Sequence, residues 1–211
     1  MAIPEDILDD DFDREVFGPL IDIPEESLVR LALRISNQIL DAPSSNGRLV
    51  ARIVGSYNIV HIIQLDDTKI VIRVPATGWG SLLTETAARA LESQVATMRL
   101  IRKHTTAPVP EVYNLDTTTD NEIGAPYMWM SFIPGTLVSY VWFDGILTMP
   151  ILASLAQHMA KFSRLLAFDK IGSVMEHEDG TNFIDPAYDW KENADGSVQV
   201  EASGPYDSID A

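Results

Sequence analysis

The chain has 211 residues, 46% hydrophobic and 22% charged, with a formal net charge of −16 and no cysteine. This is the composition of a globular protein; it excludes disulfides, thiolate metal sites and thiol nucleophiles, and its acidity argues against nucleic-acid and anionic-membrane partners. No apolar run reaches the ~18 residues of a membrane helix, and the acidic stretch Met1–Glu15 lacks the basic-then-apolar order of a signal peptide, so a cytoplasmic protein is expected.

Residues 1–22 read as an acidic N-terminal arm with scattered apolar groups and no enforced structure. Ile23-Pro24-Glu25-Glu26 opens a helix, since proline suits the first turn and acids there complement the helix dipole. Leu28, Leu31, Ile35 and Ile39 then share one face as far as about Leu40. After the loop at Pro43–Gly47 come three strands from Leu49 to Val74, broken at Gly55-Ser56 and at Asp66-Asp67. The third carries one cation, Arg73, between Ile72 and Val74. Taken alone, this stretch fits a plain meander with a surface arginine as well as a phosphate-gripping turn above a strand-borne cation.

A second helix is predicted from about Leu82 to Lys103, stopped by Thr105–Pro110 because the residue before a proline avoids helix. Glu111–Leu115 and Tyr127–Ile133 read as strands around a polar turn, and Pro134-Gly135 ends the second of them. A third helix follows from about Pro150 to Phe168, with Ile151, Leu155, Met159, Phe162 and Leu166 in register. A hairpin near Ile171–Ile184 is compatible with the pattern, but residues 176–211 are otherwise expected to be an acidic, loosely ordered tail.

The order of elements is helix, three strands, helix, two strands, linker, helix. Several segments in that order resemble the aminoglycoside phosphotransferase family, which has a protein-kinase-like fold, and within it the fungal phosphotransferase-domain proteins most of all. They are Gly55-Ser56-Tyr57-Asn58-Ile59-Val60-His61, Ile70-Val71-Ile72-Arg73-Val74-Pro75, Gln94-Val95-Ala96-Thr97-Met98-Arg99, Pro108-Val109-Pro110-Glu111-Val112 and Gly124–Gly135. The likeness covers roughly residues 50–175. It implies an α+β fold: a kinase-like small lobe over 23–133, with a five-stranded antiparallel sheet and a crossing helix, then a hinge and the start of a helical lobe over 134–175.

The resemblance also implies roles. Gly55, Ser56, Tyr57 and Asn58 match the turn over the ATP phosphates, and Arg73 stands where the family carries a phosphate-contacting lysine or arginine. Arginine offers a planar fork of donors rather than a point charge. Gln94 takes the place of the glutamate that orients this cation, so it supplies no charge, and Glu92 lies roughly 200° away around the helix. Ser131, Phe132 and Ile133 match the hinge that bonds the adenine edge.

The family's His-x-Asp loop is represented only by His177-Glu178-Asp179, and Asn182 follows Asp179 by three residues where the family has five. Asp179 therefore reads as a turn residue, and the chain as stopping before the catalytic and metal-binding loops. No catalytic or metal-ligating residue is assigned; ATP is expected to bind weakly, without a contribution from magnesium. The family reaction is transfer of the terminal phosphate of ATP to a small-molecule hydroxyl. The alternative is a non-catalytic, pseudokinase-like module holding a nucleotide or a protein. Self-association through an uncovered apolar surface is a further expectation.

Overall fold

A computed structural model describes residues 10–39, 43–136, 138–143, 145–165, 168–194 and 198–207. Residues 1–9 of the acidic arm, Leu40 and Leu166 lie outside them.

From Asp10 the arm is helical, which its acidity hid. Helix α1 (Asp10–Phe17) leads into a 3₁₀ turn (Gly18–Asp22), and Val16, Phe17 and Leu20 supply an apolar face that is buried. Gly18 has φ +51°, and a Cβ there would lie 2.7 Å from the Trp79 ring. Trp79 Nε1 also donates to the Val16 carbonyl at 3.2 Å, so the ring pins the arm to the body.

Helix α2 (Glu25–Ile39) starts on Pro24, whose carbonyl accepts from Ser27 and Leu28. Leu28, Leu31, Ala32 and Ile35 are fully buried at helical spacing and cover one face of the sheet.

That sheet has five strands in the order β1-β2-β3-β5-β4, every neighbouring pair antiparallel. The strands are β1 (Gly47–Val54), β2 (Asn58–Leu65), β3 (Thr68–Pro75), β4 (Val112–Asp116) and β5 (Tyr127–Ser131). Their residues divide between two faces with period two. Ile59, Ile63, Ile70, Ile72, Val74 and Trp129 pack with α2, whereas Val71, Met128 and Met130 pack with Leu91 and Val95 of helix α3 (Glu85–His104).

Helix α3 lies between β3 and β4 in sequence, as the pattern of apolar residues predicts. Thr84 caps it, its hydroxyl accepting from Ala87 N at 3.1 Å, and Arg102, Lys103 and His104 suit its C-terminal dipole. Across the molecule Arg34 of α2 forms a bidentate pair with Glu122 in the β4–β5 loop. That pair holds the Glu122 carboxyl below the usual carboxylate range.

The hairpin compatible with the pattern near Ile171–Ile184 is present, and the segment after it, expected to be a loose tail, forms a second one. The two are β6 (Ser173–Glu176) with β7 (Asn182–Asp185), and β8 (Ala187–Glu192) with β9 (Val198–Ser203). Both pack against α3. Met175 and Val198 are buried, and two acids of the first hairpin meet α3 arginines: Asp185 with Arg89 at 2.6 Å, and Glu176 with Arg99 at 2.9 Å. Charge that looks repulsive along the sequence is thus paired in space.

Between the sheet and these hairpins run a short helix, α4 (Val138–Val141), and a long one, α5 (Thr148–Leu165). No described helix is long and apolar enough to cross a membrane.

Candidate functional site

The turn joining β1 to β2 is closed by its own backbone: Gly55 N donates to Asn58 O, and Ala76 N to Tyr57 O, both at 2.9 Å. Gly55, Ser56 and Tyr57 are exposed at its tip. The fold does not demand glycine at 55. Its φ is not positive, and a Cβ would meet nothing closer than Asn58 O at 3.4 Å. What glycine adds there is room for something approaching from outside.

Arg73 lies in β3 opposite Val60 on one side and Met128 on the other, on the α3 face of the sheet. The side chain is half-buried. Among the described residues its one hydrogen-bond partner is Met128 Sδ, 3.9 Å from Nη1. No described carboxylate pairs with it, whereas Arg14, Arg34, Arg89, Arg99 and Arg102 each have one. Burial pushes the Arg73 guanidinium below its ordinary pKa; it stays charged, because arginine starts so high. On the same face, at the start of β2, the Oδ1 of Asn58 is buried and has no partner. A half-buried cation bonded only to a thioether and a buried amide oxygen without a donor therefore lie on the same face of the sheet, on neighbouring strands.

The other residues singled out from the sequence are arranged less favourably. Gln94 is half-buried on α3 between Leu91 and Val95, and no hydrogen bond joins it to Arg73. Glu92 pairs with Arg89 at 3.1 Å, and both line a cavity of about 130 Å³ between α3 and the β6–β7 hairpin, which Arg73 does not line. Ser131 is already engaged: its N–H donates to Glu111 O and its hydroxyl accepts from Glu111 N, each at 2.9 Å. Its N–H is thus spent on seating β4 and is not free for a ligand. Phe132 and Ile133 follow it, half-buried and exposed respectively, and their backbone groups record no hydrogen bond to the rest of the described chain. Lys69 Nζ lies 5.4 Å from the centre of the Phe132 ring.

Asp179 is fully exposed in the β6–β7 turn. The hydroxyl and the backbone N–H of Thr181 both donate to its Oδ1, at 2.6 and 2.9 Å, and hold the carboxyl below its usual range. This is a turn-forming aspartate. Among the described residues no group of three histidines or acids is placed to share a metal ion.

One neighbour of the turn was not legible as such. Trp190 of β8 lies against Tyr57, ring centroids 5.2 Å apart and planes tilted by 43°. The alternation Ala187-Tyr188-Asp189-Trp190 was the available signal, and the surrounding acids obscured it.

No model of a known protein family matches the chain. It is 30% identical over 141 residues to a subtelomeric hrmA-associated cluster protein of Aspergillus fumigatus, a match covering 65% of this chain and 25% of that protein. It is 30% identical over 152 residues to altered inheritance of mitochondria protein 9 of Candida tropicalis, covering 67% and 24%. The chain thus spans about a quarter of the length of the curated relatives it matches. Among solved structures it is similar to a candidate aminoglycoside phosphotransferase of Ralstonia eutropha, at 18% identity and a TM-score of 0.37, over 54% of this chain and 29% of that one.

Proposed function

We propose that this chain is the nucleotide-gripping lobe of a kinase-like protein of the aminoglycoside phosphotransferase type. In this reading it binds ATP weakly and does not itself transfer phosphate. The observation that carries the reading is Arg73: a half-buried cation without a carboxylate partner, one strand away from a turn whose glycine leaves space above the backbone. A polyanion is the natural complement to such a group, and arginine's fork suits phosphate oxygens. The backbone N–H groups of the Gly55–Asn58 turn would add further donors, and the open backbone edge at Phe132–Ile133 would take the adenine in place of the occupied Ser131 N–H.

Turnover is not expected of these residues. Phosphoryl transfer needs a carboxylate that orients the acceptor hydroxyl and ligands for magnesium. Asp179 is held in a turn, and Gln94 offers no charge to align Arg73. The same two observations favour the second reading, a pseudokinase-like module that holds a nucleotide or a protein without chemistry. In relatives of full length the acceptor would be a small-molecule hydroxyl.

Calorimetric titration with ATP, with and without magnesium, tests the reading. Expected is a weak affinity that hardly changes with magnesium and falls about tenfold or more in Arg73→Ala. Absence of any ATP binding, or a strict magnesium requirement, would overturn it.

A further inference from the structure

We propose that α5 is the interface through which two copies of this chain pair. Its sequence gives it an apolar face, and among the described residues much of that face is left exposed. Leu155 is 54% exposed and Met159 62%, while in the segment leading into the helix Phe143 is 96% and Ile146 83% exposed. A helix of this length gains little stability by itself in water and normally rests on a buried apolar side. Along its flank, Pro150, Ile151, Leu155 and His158 form a shallow groove of about 480 Å³ with Ala107 and Pro108 of the α3–β4 loop.

Charge argues for a second copy as the occupant. The chain carries a net charge of −16, so two copies repel each other over most of their surface. Residues 125–168 are the exception: among them Asp144 is the single acid, and α5 itself has none. Here two acidic bodies can touch without bringing carboxylates together. The exposed apolar side chains between Val138 and Met159 offer on the order of the 800 Å² per partner that a standard interface buries.

An antiparallel arrangement follows from the two cations of the helix, Lys161 and Arg164, which both lie near one end in sequence. Parallel pairing would set these cations of the two copies side by side, and antiparallel pairing separates them. A two-fold axis then passes near the middle of α5, close to Leu155, so that residue 155 meets its own copy.

The test is the solution mass by light scattering, from low to high micromolar concentration and at two salt strengths. A dimer is expected, and it should tighten with salt as the acidic bodies are screened. Leu155→Glu with Met159→Glu should give a monomer whose circular dichroism and melting temperature match those of the parent monomer, since neither side chain supports the fold. Because the chain has no cysteine, Leu155→Cys supplies a second readout. Mild oxidation should link two copies through it, while Asp120→Cys in the remote β4–β5 turn should not link. A monomer under all conditions, a dimer that survives the double substitution, or equal cross-linking at both cysteines would overturn the proposal.

Discussion

Trp190 of the last hairpin rests on Tyr57 at the tip of the glycine turn, the two rings 5.2 Å apart. The turn proposed to cover phosphates is therefore in contact with a fluorophore supplied from far along the chain. A ligand settling under the turn should change the surroundings of that indole. ATP is expected to alter the intrinsic tryptophan emission, and Trp190→Phe should remove most of the change while leaving the affinity within about threefold. A response undiminished in Trp190→Phe would locate the ligand elsewhere.

Arg73 should trade stability for function. A half-desolvated cation without a counter-ion weakens the free fold, and methionine of similar length would fill its place beside Met128. Arg73→Met is expected to stabilise the chain by about 1 kcal/mol, read from urea unfolding, while abolishing detectable ATP binding. Loss of both stability and binding would mean that the guanidinium is a structural member of the sheet.

His61 predicts a pH dependence. It is wholly buried on the α2 face of β2, neither ring nitrogen has a partner, and it lies opposite Arg52 in the sheet register. Burial, reinforced by the Arg52 charge, pushes its pKa down to about 3. The unfolded chain binds a proton near the ordinary value and the folded chain does not until far lower. Stability attributable to His61 is therefore complete above about pH 6.5 and drains away as the pH falls towards 3, by up to about 1.4 kcal/mol per pH unit. The difference in unfolding free energy between the parent and His61→Leu, measured at pH 7.5 and 5, should change in that sense. A difference independent of pH would show that the histidine does not titrate between the two states.

The C-terminal hairpins are tied to α3 through Arg89, which meets Asp185 while Tyr188 bonds the same carboxylate. The pair is partly exposed, so its worth is modest: Arg89→Ala is expected to cost about 1 kcal/mol. The more specific consequence is local. Limited proteolysis should cut earlier within residues 173–203 of the variant, while the five-stranded sheet stays protected.

The central sheet was readable because its signals are local. Alternation from Ile59 to Val74 fixes which side chains face α2, the Asp66-Asp67 turn sets the register, and prolines after His104 end α3. The last hairpin, and the packing of both against α3, were hidden because their support is not local. Nothing in the run Glu176–Asp189 announces that Arg89 and Arg99, far earlier in the chain, will neutralise two of its acids. For Arg73 the sequence showed its place in the third strand but not the state of its neighbours. That Ser131 spends its N–H on Glu111, and that Gln94 leaves Arg73 alone, depend on a sheet register and a helix rotation that residue types do not encode.

Val198 is buried in the same apolar cluster as Val16 and Phe17. The same apolar cluster thus draws on the first described helix and the last described hairpin, and associations of such high sequence separation are slow to form. Pulsed hydrogen exchange during refolding should show β8–β9 gaining protection after the five-stranded sheet.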